Sequence, residues 1–161
     1  MTNYTLIGVR INGDKIFTAE MSGKPWDENF TCSNHGLTSL RGGPSLISGF
    51  FDGSKNKLKS LKGAPRSVGG SFACSYNKLT SLHDVHKFIN KINGMIYAGG
   101  NPITSCVLGV LLIDGCRGLV IDNQKVEVII NKYLPNHRGF SAVIECQSEL
   151  LDAGFNEYAK L

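Results

Sequence analysis

The sequence predicts an α+β protein: a short β-solenoid of about four rungs, closed by a β-hairpin before it and by helices after it. Three observations carry that prediction. Six columns of similar residues recur between Trp26 and Cys106, with successive members 21, 21 and 24 residues apart in every column. Within each repeat, apolar and small residues sit two apart, the spacing of one face of a strand. Beyond the repeats, apolar residues switch to helical spacing.

The columns are specific. Trp26, Ile47, Val68 and Ile92 form the first, and Phe30, Phe51, Phe72 and Ile96 the second. Cys32, Gly53, Cys74 and Ala98 form a third that is always small. His35, Asn56, Asn77 and Asn101 form a fourth; Leu37, Leu58, Leu79 and Ile103 a fifth; and Leu40, Leu61, Leu82 and Cys106 a sixth. One such unit cannot bury its apolar face alone, whereas stacked units bury a continuous core. The Asn side chain can hydrogen-bond backbone groups of neighbouring rungs, where a buried turn has no strand partner. The two leucines fill the core beneath it. Gly42–Pro44 and Gly63–Pro65 supply the turns, with proline fixing φ where the coil bends back. The third rung is three residues longer, and Val85, Phe88, Ile89 and Ile92 have helical spacing there, which predicts one or two helical turns.

Residues 1–25 are assigned to the N-terminal cap, residues 26–106 to the solenoid and residues 107–161 to the C-terminal cap, all in one structural domain. Tyr4, Leu6 and Gly8 alternate with Thr5, Ile7 and Val9, Asn12-Gly13-Asp14 signals a hairpin, and Ile16-Phe17-Thr18 returns. Such a hairpin would cover the first rung's open edge. Cys106–Ile113 is apolar enough for a buried strand or a helix start, and Leu119–Ile121 for a short strand. Asp122 or Asn123 can cap a helix with Val126, Ile129, Ile130, Tyr133 and Leu134 on one stripe, ended by Pro135-Asn136. Ser141 can cap a second, with Ala142, Val143, Cys146 and Leu150 inward and Gly154 as its stop.

The pattern apolar-x-x-x-Phe-x-small-x-x-Asn-x-Leu-x-x-Leu resembles the leucine-rich repeat, in its short bacterial and phage form. His35 departs from that pattern, which expects Asn, and leaves the first rung imperfect. Asn131–Leu134, Glu145–Gly154 and Glu157–Leu161 resemble the tail of phage-encoded proteins carrying such repeats. The resemblance implies a phage or prophage origin. It also implies a partner in the host, a protein or defence complex that is bound and inhibited.

Composition bounds the rest. Hydrophobic content of 42% is that of a globular chain. The longest apolar run, Val107–Ile113, is too short to span a membrane. No basic segment followed by an apolar run opens the chain, so no leader is expected. Five cysteines without paired spacing fit free thiols in a reducing cytoplasm. The formal charge of +4 is uneven: residues 31–116 hold nine basic and three acidic groups.

Reaction chemistry finds little footing. Cys32 and Cys74 lie two rungs apart, roughly 9–10 Å at strand spacing, too far for a disulfide. His83-x-x-His86 offers two ligands but no matching third, so neither a metal nor any other cofactor is expected. Cys116, beside Arg117, could have a lowered pKa, yet no base accompanies it, and an enzyme built on Cys116 or the histidines is the weakest reading. No phosphate loop or nucleophile elbow occurs.

Two surfaces remain. Residues alternating with the core face outward on the strands, among them Phe50, Asp52, Met95 and Tyr97, with Tyr76 nearby. Exposed aromatics on a rigid sheet suit a protein interface, so the chain is expected to be a non-catalytic protein-binding module. The alternative is nucleic-acid binding by a basic stripe of Lys55, Lys57, Lys59, Lys62, Arg66, Lys78 and Lys87, with Lys91 beside it. In that stripe Lys57 is expected to share a column with Lys78, and Arg66 with Lys87.

Overall fold

The structure, a computed structural model, describes residues 9–11 and 14–16 as backbone, and residues 21–134 and 139–161 in full. Strands β1 (Val9–Ile11) and β2 (Asp14–Ile16) pair antiparallel, Val9 opposite Ile16. The expected turn at Asn12-Gly13, the strand residues before Val9 and after Ile16, and the stop at Pro135-Asn136 lie outside the described residues.

From Pro25 onward the chain winds as a parallel β-solenoid of about five turns. Each of the first four rungs contributes one very short strand to each of two sheets, and the fifth contributes a strand to the second sheet alone. The first sheet holds β3 (Pro25–Trp26), β5 (Leu46–Ile47), β7 (Ser67–Val68) and β9 (Lys91–Ile92). The second holds β4 (Phe30–Thr31), β6 (Phe51–Asp52), β8 (Phe72–Ala73), β10 (Met95–Tyr97) and β11 (Gly118–Val120). Every sequence column falls in register: Phe30, Phe51, Phe72 and Ile96 pair successively, as do Trp26, Ile47, Val68 and Ile92.

That register stacks the phenylalanines. Ring centroids are 6.1 Å apart between Phe30 and Phe51 and 4.8 Å between Phe51 and Phe72, with the rings within 16° of parallel. The third column must be small because these rings fill the space. A Cβ on Gly53 would stand 2.9 Å from the Phe51 ring. Phe51, Phe72 and the leucines beneath the turn are essentially inaccessible to solvent; removing one such ring to Ala costs about 3–5 kcal/mol.

The fourth column forms an asparagine ladder. Asn77 Nδ2 donates to Gly53 O of the rung before and to Cys74 O of its own, each at 3.0 Å, while its Oδ1 accepts from Leu58 N at 3.0 Å. Asn56 and Asn101 repeat the arrangement. Each buried amide thereby closes backbone groups that no strand reaches, which satisfies the turn without water. His35, at the start of the column, bonds only Ser33 O with its ring. Gly42 and Gly63 turn the chain at φ 86° and 89°, where a side chain would be strained.

The three extra residues of the third rung are accommodated by a single helical turn, α1 (Val85–Phe88), while Ile92 returns to the sheet. Cys106–Ile113 then becomes a 3-10 helix, Leu108–Leu112, buried along most of its length. The fifth strand, β11, lies beyond the four rungs legible in the sequence. It pairs with β10 through Ile96–Leu119 and Tyr97–Val120.

Helix α2 (Gln124–Tyr133) is capped by Asn123 and buries Val126, Ile129 and Ile130 against the solenoid end. Helix α3 (Phe140–Asp152) buries the expected Ala142, Val143, Cys146 and Leu150. Its N-cap is Gly139 rather than Ser141, because the helix begins at Phe140 and places Ser141 inside the first turn. Gly154, at φ 80°, follows its end. The tail folds back onto the fourth rung: Cys106 N donates to Glu157 O at 3.0 Å, and Tyr158 Oη to Ile103 O at 3.0 Å.

Candidate interaction surfaces

Parallel register turns each sequence position into an outward row. On the five-stranded sheet one row runs Thr31, Asp52, Ala73, Tyr97, Val120. The row beside it continues through Phe50, Ser71, Met95 and Gly118. Phe50 and Tyr97 are 44% and 39% exposed, large values for rings on a sheet. Met95 is half-buried because it packs over Gly118, where a Cβ would stand 2.8 Å from its methyl carbon. Its sulfur accepts from Tyr97 Oη at 3.7 Å, so the two side chains form one raised patch. Asp52 is half-buried, and its Oδ1 accepts from Ser54 N at 2.9 Å, which leaves the other oxygen outward.

Tyr76 stands apart, at the corner where the strand ends. Asn34, Lys55, Tyr76 and Gly100 occupy equivalent positions and all adopt left-handed φ, between 55° and 71°. This is the residue that turns each chain into its ladder asparagine. Tyr76 is 63% exposed, more than either strand ring. The sequence points to Tyr76 but not to Leu46, which is 45% exposed on the outer face of the first sheet.

The basic residues divide. Lys57 and Lys78 do share a column on the third side of the coil, where Lys57 N and Lys78 N donate to Leu37 O and Leu58 O of the preceding rungs. Lys59 lies on the same side, and Lys62 is equivalent to Arg41 and His83: all three N–H groups bond the Ser hydroxyl two residues earlier. Contrary to the expectation from the sequence, Arg66 does not share a column with Lys87. Its carbonyl accepts from Asn90 and Lys91, because the inserted turn shifts the register by three residues. Lys87 lies on α1, with Nζ 2.7 Å from Asp84. Lys91 faces Asp114 at 3.8 Å.

The thiols are quiet. Burial, helped by the charge of Asp52, pushes Cys32 and Cys74 up to about 12. Arg117 does not lower Cys116: burial raises it to about 11, in keeping with an unreactive turn cysteine. The chain turns its sulfur inward, 3.7 Å from Gly118 O. His83 and His86 diverge. His83 lies 3.3 Å from Asp84, whereas His86 Nδ1 is buried against Gly109 without a hydrogen-bond partner, and burial lowers its pKa. Among the described residues, no group of three or more His, Cys, Asp or Glu is placed to hold a metal, and no helix is long and apolar enough to cross a membrane.

No protein-family profile, curated protein or solved structure gave a match to the chain.

Proposed function

We propose that the chain is a non-catalytic protein-binding module of leucine-rich-repeat type, and that its interface is the outward face of the five-stranded sheet. The observation that carries this is the exposure of Phe50 and Tyr97 on one rigid face, with Met95 beside Tyr97 on the same strand and Asp52 in the row of Tyr97. The described helices pack on the 3-10 helix and on β11 at the solenoid's end, away from Phe50. Aromatic anchors fixed on a stiff backbone lose little entropy on docking, and such residues dominate interface energies. The leucine-rich-repeat reading draws on the Asn ladder and the leucine column beneath it. A host protein or defence complex as the partner, inhibited by binding in the cytoplasm, rests on the resemblance of Asn131–Leu134 and residues 145–161 to phage-encoded repeat proteins.

The test is affinity capture from nuclease-treated bacterial lysate with the wild-type chain and with a Phe50→Ser/Tyr97→Ser double variant. A discrete partner held by the wild type should be weakened at least about 30-fold, the loss of one or two anchors of about 2 kcal/mol each. Equal capture by a folded double variant removes this face as the interface.

A further inference from the structure

A different face carries a second site, independent of that reading. On the third side of the coil, consecutive rungs present Arg41, then Lys57, Lys59 and Lys62, then Lys78, all exposed. None of the five has an ion-pair partner among the described residues; the same holds for Lys24, Lys55, Arg66, Arg117 and Lys125, but only here do unpaired cations gather on consecutive rungs of one side, with Lys87 at the border engaged by Asp84. Rungs repeat at roughly 5 Å, so these like charges are held together by the backbone without counter-charges. That arrangement raises the local positive potential instead of neutralising it.

Hydroxyls run between the cations. Ser39, Ser60 and Ser81 each accept from the backbone N–H two residues on, at 3.1–3.4 Å, which leaves each O–H as a donor. A shallow pocket of about 230 Å³ opens among Lys59, Ser60, Ser81, His83 and Asp84. Asp84 is the carboxylate in that pocket, and it is already engaged by Lys87 at 2.7 Å and His83 at 3.3 Å. At the edge of the face stand Lys55 and, in the next rung, the protruding ring of Tyr76.

We propose that this face binds the phosphate backbone of a nucleic acid, without reading its sequence. Unpaired cations in rows, hydroxyl donors between them and an aromatic ring at the margin are the elements that hold phosphates and stack a base. An acidic protein could use the same cations and ring, so competition between polyanions of the two kinds separates the readings.

The experiment is fluorescence anisotropy with a labelled mixed-sequence 30-nucleotide strand and with its duplex, between 50 and 200 mM salt. Neutralising five phosphates predicts a log–log salt slope of about −3.5 for the single strand or about −4.5 for the duplex. Lys57→Glu/Lys62→Glu/Lys78→Glu should weaken binding at least 100-fold at 100 mM salt. Lys24→Glu/Arg117→Glu/Lys125→Glu, with the same change in net charge off this face, should cost less than tenfold. Phe50→Ser/Tyr97→Ser should leave the binding unchanged, which separates this site from the sheet interface. Absence of binding at 50 mM salt would overturn the proposal, as would equal losses in the two charge-reversal variants. Displacement by poly-glutamate as effective as by unlabelled strand would reassign the face to acidic proteins.

Discussion

Asn131 closes both free backbone groups of Leu119: its Oδ1 accepts from Leu119 N at 2.8 Å and its Nδ2 donates to Leu119 O at 2.9 Å. Glu127, one helical turn earlier, accepts from Ile121 N at 2.9 Å. Together they give β11 the hydrogen bonds that a sixth strand would have made. An open edge of a parallel sheet is a template for another chain, and here a helix occupies it. Asn131→Ala should therefore cost about 2 kcal/mol, the loss of two partly buried bonds. It should also promote self-association. Urea unfolding and size-exclusion chromatography measure the two effects, and an Asn131→Ala variant that is both fully stable and monomeric would show that α2 holds the edge by packing alone.

The asparagine ladder predicts a steep contrast between two positions of one column. The Asn77 side chain joins two rungs, accepting from Leu58 N and donating to Gly53 O and Cys74 O, so Asn77→Ala leaves Leu58 N without a partner and takes one of two amide donors from each carbonyl. A loss of about 3 kcal/mol or more is expected. His35 begins the column; its ring makes one bond, to Ser33 O of its own rung, while its backbone N–H already feeds Asn56 Oδ1 of the next. His35→Asn should change stability by less than about 1 kcal/mol. Denaturation of the two variants side by side decides it; similar costs would mean that side-chain volume, not amide bonding, sets the column.

The sequence made the first four rungs legible because their core columns obey steric rules that admit few residues. A parallel stack forces Phe over Phe and leaves only small residues two positions on, so the period is written directly in Phe30, Phe51 and Phe72. The fifth strand breaks both rules. Leu119 takes the aromatic place and Ile121 the small one, and no further rung stacks on them; the position equivalent to Asn101 falls at the start of α2. Its chain therefore reads as a cap. The basic face was half legible: Lys57 and Lys78 follow the period, but the link between Arg66 and Lys87 needed the register after the inserted turn. Arg41 and His83 belong to the column of Lys62, which becomes visible only once the equivalent Ser39, Ser60 and Ser81 hydrogen bonds are seen. Edge closure by Asn131 has no sequence signature, since any exposed helical Asn looks the same until the strand beneath it is known.

Thiol chemistry gives a prediction with a pH sign. Cys32 and Cys74 are pushed up to about 12 and Cys116 to about 11, chiefly by burial, against an ordinary value near 9. At pH 8 the thiolate fraction of Cys116 is then on the order of one in a thousand. Native alkylation should reach half-exposed Cys106 first and leave Cys32, Cys74, Cys116 and Cys146 unmodified until urea is added. In the unfolded chain these thiols ionise near pH 9, in the folded chain only above it. The stability they contribute is thus intact below about pH 9 and declines as pH rises from there toward 12. Mass spectrometry after timed iodoacetamide treatment checks the first statement and urea midpoints at pH 8 and 10.5 the second. Rapid native labelling of Cys116 would contradict its inward orientation.

Gly100 tests how firmly Tyr76 is held. Gly100 has φ 71°, and a Cβ there would come within 3.0 Å of three atoms of the Tyr76 ring. Two costs follow for Gly100→Ala. The backbone cost of a left-handed alanine is about 1 kcal/mol and is unavoidable. The collision depends on whether the ring can leave. Tyr76 is 63% exposed, so it should swing away at little expense. Gly100→Ala is therefore expected to cost about 1–2 kcal/mol, and nearly the same in a Tyr76→Ala background, with a coupling below about 0.5 kcal/mol. Urea unfolding of the wild type, both single variants and the double variant gives that coupling. A value above 1 kcal/mol would mean the ring is pinned on Gly100. The protrusion of Tyr76 at the edge of the cationic face would then be a fixed platform rather than a mobile one.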